Sequence, residues 1–105
     1  MRGRDDRNIT SNAVQEILAQ RGHIAELVIH NDDSAARFVQ LFNARSANVT
    51  LGTTTPDMVI QVGADSTISI NMGEQEFATA FSYAVTTTAT GSTGPTSVWV
   101  SISLF

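Results

Sequence analysis

The side chains that most often carry out chemistry are few in this sequence, and none has the spacing of a catalytic motif. The two histidines, His23 and His30, are seven positions apart. The residues between them have the pattern of a strand, which would place the histidines at its opposite ends, too far apart to bind one metal ion. Neither has a Ser, Cys or carboxylate at motif spacing. We therefore expect both to be solvated.

Glycine-rich and acidic turns also fall short of a binding motif. Gly91–Gly94 reads GSTG and lacks the Lys-Ser/Thr ending and the following helix of a phosphate-binding loop. The acids of Asn31–Ser34 and Gly73–Glu76 lack the alternating ligands of a calcium loop, and turn acids of this kind are usually solvated. Glu26 is expected to mark the solvent face of its strand. We predict no catalytic residue, no metal ligand and no cofactor, and so no enzyme.

Composition excludes further classes of protein. The chain has 105 residues, enough for one domain, of which 42% are hydrophobic and only 15% charged. It has no lysine, its six arginines are scattered and its net charge is −4. A basic surface for nucleic acid is therefore missing, and no nucleic-acid partner is expected. Because cysteine is absent, stability must come from packing or assembly rather than from disulfides.

The sequence also gives no sign of targeting to a membrane. The opening residues MRGRDDRNIT are not followed by the apolar segment of a signal peptide. No apolar run approaches the ~18 residues of a membrane span. We expect no membrane partner and synthesis in the cytoplasm.

Period-two alternation dominates the chain from His23 onward and predicts a series of short strands. Pro56 precedes a strand with Met58, Ile60 and Val62 on one face, and the turn Val62–Ser66 leads to a strand with Ile68, Ile70 and Met72 on one face. These two strands are predicted to form a hairpin. Short strands separated by turns every 8 to 12 residues or so are typical of an antiparallel sandwich or barrel.

Two later segments have distinct faces. Between Phe77 and Val85, large residues alternate with alanine and serine, which indicates one face in the core and one close under a loop, a sheet or another chain. Ser97–Phe105 alternates aliphatic residues with Trp99, Ser101, Ser103 and Phe105. The aliphatic side should be buried. Trp99 then points away from the core, either as part of a minor apolar patch or as an anchor for another chain.

The predicted fold class is therefore all-β, an antiparallel, jelly-roll-like β-sandwich forming a single domain over residues 12–105. Residues 1–11 are predicted to be an extended polar arm, either frayed or ordered on a partner. Asn12–Gly22 is ambiguous, because its apolar spacing and Asn12–Gln15 fit a capped helix, whereas its direct run into a strand favours extended structure. We favour the extended form. The predicted core is Leu27, Ile29, Met58, Ile60, Val62, Ile68, Ile70, Phe77, Phe81, Val98, Val100 and Ile102.

These segments carry a resemblance to a known class of protein. Residues 37–60 combine Arg37-Phe38 and Leu41-Phe42-Asn43 with Gly52-Thr53 and Thr55-Pro56 before Met58 and Ile60, and residues 77–86 read FATAFSYAVT. This pattern resembles small β-sandwich virion structural proteins of tailed bacteriophages, of the capsid decoration or cement type, over about residues 23–105. The chain departs from the pattern at Gly73–Glu76, and its first dozen residues have no counterpart.

The resemblance implies a function in assembly. It implies a protein on the outer surface of the phage capsid that binds the major capsid protein and bridges capsomers, as a homo-oligomer with a trimer favoured over a dimer. A tail- or fibre-associated virion protein that binds carbohydrate is the alternative, for which Tyr83, Trp99 and the Thr-rich loop would supply a stacking platform. The residues expected at interfaces are Arg2, Arg4, Arg7, Phe38, Phe42, Trp99 and Phe105.

Overall fold

The computed structural model describes the backbone of residues 2–104 and the side chains of residues 8–104. Within residues 2–104, one short 3-10 helix, Ser46–Asn48, interrupts an otherwise all-β backbone. The eight strands are β1 (Arg2–Ile9), β2 (Gln15–Leu18), β3 (Gly22–Asn31), β4 (Arg37–Phe42), β5 (Met58–Val62), β6 (Ser66–Phe77), β7 (Phe81–Thr86) and β8 (Val98–Leu104).

The strands form two four-stranded antiparallel sheets that pack face to face. The first sheet has the order β1-β8-β3-β6 and the second the order β2-β7-β4-β5. Each sheet thus combines strands from both ends and the middle of the chain. This arrangement of eight strands in two sheets is that of a jelly roll, as the sequence predicted.

The core lies between the inner faces of the two sheets. Strand β8 alternates as predicted: its four aliphatic residues are at most 3% exposed, whereas Trp99 is 39% exposed. Nine of the twelve residues predicted to be core are buried. The exceptions are Met58, which is 38% exposed, and Ile68 and Ile70, which are partly buried. All three belong to β5 or β6, which are edge strands and have a neighbour on one side only.

The predicted hairpin of β5 and β6 is wrong. The two strands are consecutive in the chain but lie in different sheets, and the turn at Gly63–Asp65 carries the backbone across the sandwich. Strand β6 pairs instead with β3, with Ile68 opposite Ile29. Both arrangements put the same alternate residues on the core, so alternation could not distinguish them.

The predicted strand from Phe77 to Val85 is also divided. Phe77 ends β6 in the first sheet, and Phe81 begins β7 in the second. Their rings remain in contact across the core, with centroids 4.6 Å apart. The alternating residues therefore belong to two strands that face the same core, and not to one continuous strand.

A bulge corrects the predicted faces of β3. The register with both neighbouring strands shifts between Ile24 and Glu26. Simple alternation would place Ile24 on the same outer face as Glu26, two residues away, but Ile24 is fully buried, whereas Glu26 is exposed as predicted. An extra residue in one strand reverses the alternation from that point, which explains the difference.

Two strands, β1 and β2, precede β3 in the chain. Strand β1, which lies within the predicted arm, pairs along β8 and so belongs to the first sheet, and its Ile9 is 5% exposed in the core. In the ambiguous segment, Gln15–Leu18 is strand β2 at the edge of the second sheet. The extended form favoured by the sequence is confirmed for these residues.

Candidate functional site

The outer faces of the two sheets are strongly different. On the second sheet, Gln40, Ser82 and Thr86 point away from the core yet are fully buried. Connecting loops cover them: Ser82 Oγ donates a hydrogen bond of 2.8 Å to the carbonyl of Ala44, and Gln40 Nε2 donates one of 3.1 Å to the carbonyl of Gly91. The small-residue face of β7 therefore lies under loops of the same chain, one of the alternatives that the sequence left open.

This covering layer changes the expectation for β4. Phe42 was expected at an interface but is 1% exposed, so it is not a surface residue of the folded chain. Phe38 is partly buried. Strand β4 reads RFVQLF, with Phe38 and Phe42 on one face and Val39 and Leu41 on the other, which fits a strand with the core on one side and loops on the other.

The outer face of the first sheet, in contrast, is open. Strand pairing aligns Asn8, Trp99, His30 and Thr67 in one row across all four strands. Residues directly opposite each other in antiparallel strands point to the same side, about 5 Å apart. Trp99 therefore stands between an amide and an imidazole. It is the single tryptophan of the chain.

A second row, Ser101, Val28 and Ser69, continues the same face, with Glu26 beyond it on β3. Ser69 Oγ donates a hydrogen bond of 3.1 Å to the Glu26 carboxylate. The Trp99 face, as we call this surface, comprises Asn8, Glu26, Val28, His30, Thr67, Ser69, Trp99 and Ser101.

Hydrogen bonds fix the polar groups beside Trp99. Nδ1 of His30 lies 2.6 Å from Oγ1 of Thr67, and Nε2 of His30 lies 3.7 Å from Oδ1 of Asp32. On the other side, Ser97 Oγ donates to Oδ1 of Asn8 at 3.1 Å. An exposed aromatic ring between ordered polar side chains can anchor a protein partner or stack against a sugar ring.

The Trp99 face is the arrangement that the sequence only half predicted. Trp99 was expected to point outward, and it does. Asn8, His30 and Thr67 were not associated with it, because their alignment depends on strand register. Four other expected interface groups, the side chains of Arg2, Arg4 and Arg7 and the residue Phe105, lie outside the described residues.

One acid predicted to be solvated is instead the centre of a buried polar cluster. The Asp33 side chain is 4% exposed and accepts hydrogen bonds from Thr96 N (2.9 Å), Ser97 N (2.8 Å) and Arg37 Nε (2.7 Å). Burial raises the pKa of Asp33, but the hydrogen bonds from Thr96, Arg37 and Ser97 outweigh it and leave the pKa below its ordinary value.

Asn31 extends this cluster to a third segment of the chain. It is fully buried, and its Nδ2 donates to the carbonyls of Val62 (3.1 Å) and Gly63 (3.0 Å), where the chain leaves β5. Its Oδ1 accepts from Asp33 N at 2.9 Å. The cluster therefore links the segment after β3, the end of β5 and the segment before β8 at one end of the sandwich. Its polar groups are used in the hydrogen bonds that form these links.

Glu16 holds the covering loop at the second sheet. It accepts hydrogen bonds from Arg45 Nη2 (3.2 Å) and Ser46 N (2.9 Å). The hydrogen bond from Arg45, followed by that from Ser46, lowers the pKa of Glu16. This contact ties β2 to the loop that contains the 3-10 helix.

A small cleft of about 220 Å³ lies at one end of the sandwich, lined by Asn43, Asp57, Met58, Gln75, Glu76 and Phe77. Its carboxylates already have partners. Asp57 Oδ2 accepts from Asn43 N at 2.7 Å, and Glu76 pairs with Arg21. The side chains that line this cleft include no Ser, Cys, His or Lys that could act as a nucleophile.

No three His, Asp or Glu side chains among residues 8–104 are grouped so that they could hold a metal ion. No helix within residues 2–104 is long and apolar enough to cross a membrane.

No family model, no curated protein and no solved structure matches the chain.

Proposed function

We propose that this chain is a structural protein of a tailed-phage virion that decorates the outer surface of the capsid and stabilises contacts between capsomers. The observation that carries the proposal is the contrast between the two outer faces. One is covered by loops, whereas the other is open and presents Trp99, 39% exposed, in the middle of a polar sheet. The major capsid protein is the proposed partner, and the Trp99 face is the docking surface.

The fold supports this proposal by analogy only. Jelly rolls are common in viral capsid proteins, but also in lectins and cupins, so the architecture does not decide the function. Among the described residues, the two acids whose pKa is lowered, Glu16 and Asp33, already take part in structural contacts. This favours a binding surface over a catalytic centre.

The size of the Trp99 face bears on how such a protein would bind. Four strands about 5 Å apart and three rows about 7 Å apart give a surface of roughly 300 Å², well below the ~800 Å² per partner of a standard interface. A single contact of this size is weak. Many copies on a symmetric shell act together, which gives reinforcement without a strong individual site.

Trp99 should contribute much of each contact. A tryptophan side chain buries about 150–250 Å², and the 39% still exposed is therefore about 60–100 Å². At ~25 cal/mol per Å² its burial contributes about 1.5–2.5 kcal/mol. Trp99→Ala should then weaken each contact by roughly 10- to 60-fold.

The test uses shells assembled from the major capsid protein of the genome that encodes this chain. The purified chain should co-sediment with the shells, saturate at a fixed number of copies per capsomer, and raise the temperature at which the shells rupture. Trp99→Ala should lose binding while keeping its far-UV circular dichroism spectrum.

A matched control separates a specific surface from general stickiness. Met58→Ala removes another exposed apolar side chain, 38% exposed, from the opposite sheet, and should leave binding nearly unchanged. Equal losses for the two variants, no co-sedimentation, or a genome without a capsid protein would each refute the proposal.

A second candidate is a tail- or fibre-associated virion protein that binds carbohydrate. It is favoured by the ordered hydrogen-bonding groups of Asn8, His30 and Thr67 in the row of Trp99. Such groups could bind the hydroxyls of a sugar stacked on the indole. Because Trp99 is the single tryptophan, its fluorescence reports directly on sugar binding. Saturable changes with a glycan panel, without co-sedimentation with shells, would favour this candidate over decoration.

A further inference from the structure

The edge strand β5 has the properties of a strand that pairs with another chain. It pairs with β4 over five consecutive residues, Met58 to Val62, without a register shift. Its other side is the edge of the second sheet. The strand reads MVIQV and carries no charge, and Met58 and Val59 are 38% and 37% exposed.

The other three edge strands each have a feature that discourages pairing. Strand β1 shifts register between Arg4 and Arg7. Strand β2 has only four residues and shifts after Glu16. Strand β6 carries a bulge in which Gly73 and Glu74 have positive φ. Bulges, short length and charge are the usual protection of sheet edges, and β5 has none of them.

We propose that two copies of this chain pair through β5, antiparallel and about a two-fold axis at Ile60. The partner is a second copy because the strand is compatible with itself. The axis places Met58 opposite Val62 and Val59 opposite Gln61 of the other copy, so every pair in the ladder is uncharged. The second sheet then continues through the interface as eight strands.

The charges that flank β5 also permit this arrangement. Asp57 precedes the strand, and the axis at Ile60 would place it opposite Gly63 of the other copy, not opposite its own counterpart. The two Asp57 residues would be six residues apart along the ladder, about 20 Å, which exceeds the screening length of ~8 Å at physiological salt. Because the chain has a net charge of −4, a neutral contact avoids adding local repulsion.

The expected dimer is weak. A five-residue strand is about 17 Å long, and one such ladder falls short of the ~1,200–2,000 Å² of a stable interface. The dimer should therefore form in a concentration-dependent manner. Strand pairing of this kind has two-fold symmetry, so it favours a dimer over the trimer that the phage resemblance implies. It does not depend on the proposed function, because the Trp99 face belongs to the other sheet.

Sedimentation velocity tests the proposal between ~10 μM and ~1 mM, the range expected for a weak contact. The mass should rise from the 11.2 kDa of the monomer towards twice that value. Val59→Lys, which places a charge on the exposed side of β5, should remain monomeric throughout. Asn71→Lys, on an exposed position of the edge strand β6 outside the Trp99 face, is the matched control and should dimerise like the unmodified chain.

Hydrogen exchange on the unmodified chain supplies a readout that does not require any variant to fold. Amide exchange in Met58–Val62 should slow at least severalfold at the high concentration, with β6 unchanged. A monomer at every concentration, a trimer, or a dimer that survives Val59→Lys would overturn the proposal. So would exchange in β5 that is independent of concentration.

Discussion

Removing the Asp33 carboxylate is the sharpest test of what holds this sandwich together. The carboxylate joins the segment after β3 to the backbone of Thr96 and Ser97 just before β8, and to Arg37 at the start of β4. Asp33→Ala leaves two backbone N–H groups and the Nε of Arg37, whose side chain is only 16% exposed, without their acceptor. The three hydrogen bonds are lost together because one side chain accepts them all.

The magnitude follows from the charge and burial of the pair. Hydrogen bonds to a charged group contribute about 1.5–3 kcal/mol each, but the three share one acceptor and do not add fully. Breaking a buried ion pair by removing one partner costs about 3–5 kcal/mol. We expect a loss in this range, a large part of the ~5–15 kcal/mol stability of a domain. The melting temperature should fall by at least about 12 °C.

Urea and thermal unfolding followed by far-UV circular dichroism measure this loss. Asp32→Ala is the control, because the neighbouring acid is 59% exposed and should change stability by less than about 0.5 kcal/mol. Asp33→Asn should be nearly as damaging as Asp33→Ala. Both oxygens of Asp33 accept from N–H groups, so the new amide N–H would face a group that also donates. A loss below about 1 kcal/mol for Asp33→Ala would refute the reasoning that the cluster stabilises the fold.

Three other predictions follow from the same structure. Because the pKa of Asp33 is lower in the folded chain, the stabilisation by its carboxylate should be complete above the unfolded pKa of about 4 and be lost as the pH falls through the folded pKa. The difference in unfolding free energy between the unmodified chain and Asp33→Ala, measured by urea unfolding, should shrink over the same range. A constant difference down to pH 2 would contradict this prediction. Removing Val100–Phe105 deletes three aliphatic side chains that are at most 3% exposed, at ~1.5–3 kcal/mol each, so the truncated chain should give no cooperative melting transition. Gly94→Ala should lower the melting temperature, because the added methyl would meet the backbone of Asn12 and lie 2.6 Å from the carbonyl carbon of Ser11. The control Gly73→Ala has open space around its Cβ but a positive φ, so it should show only the smaller cost of backbone strain.

Part of the candidate site was predictable and part was not. Trp99 was identified as outward-facing because its neighbours Val98 and Val100 are aliphatic and a strand alternates. The sequence could not associate it with Asn8 and His30, which are 91 and 69 positions away in the chain, since only strand register brings them together. The role of Asp33 was missed for a similar reason. In the sequence, a solvated acid in a turn cannot be distinguished from a buried one, because the N–H groups that bind the Asp33 carboxylate belong to Thr96 and Ser97, far along the chain.

Local pattern by itself determined the fold class and the faces of most strands. Alternation at Val98–Leu104 and Ile60–Val62 follows from the pleat, which sends successive side chains to opposite sides whatever the partner strand is. It also determined that extended structure was favoured over a helix at Gln15–Leu18, because the segment runs directly into a strand that needs a sheet partner.

Tertiary structure alone decided which strands pair and what covers their outer faces. Strands β5 and β6 bury the same residues whether they form a hairpin or cross between sheets, so the choice rests on long-range pairing of β6 with β3. Phe42 is buried on an outer face that the loops at Ala44 and Gly91 cover, while Trp99 is exposed because no loop among the described residues covers it. Alternation shows on which side of a strand a side chain lies, but the packing of the rest of the chain determines whether that side is buried or exposed.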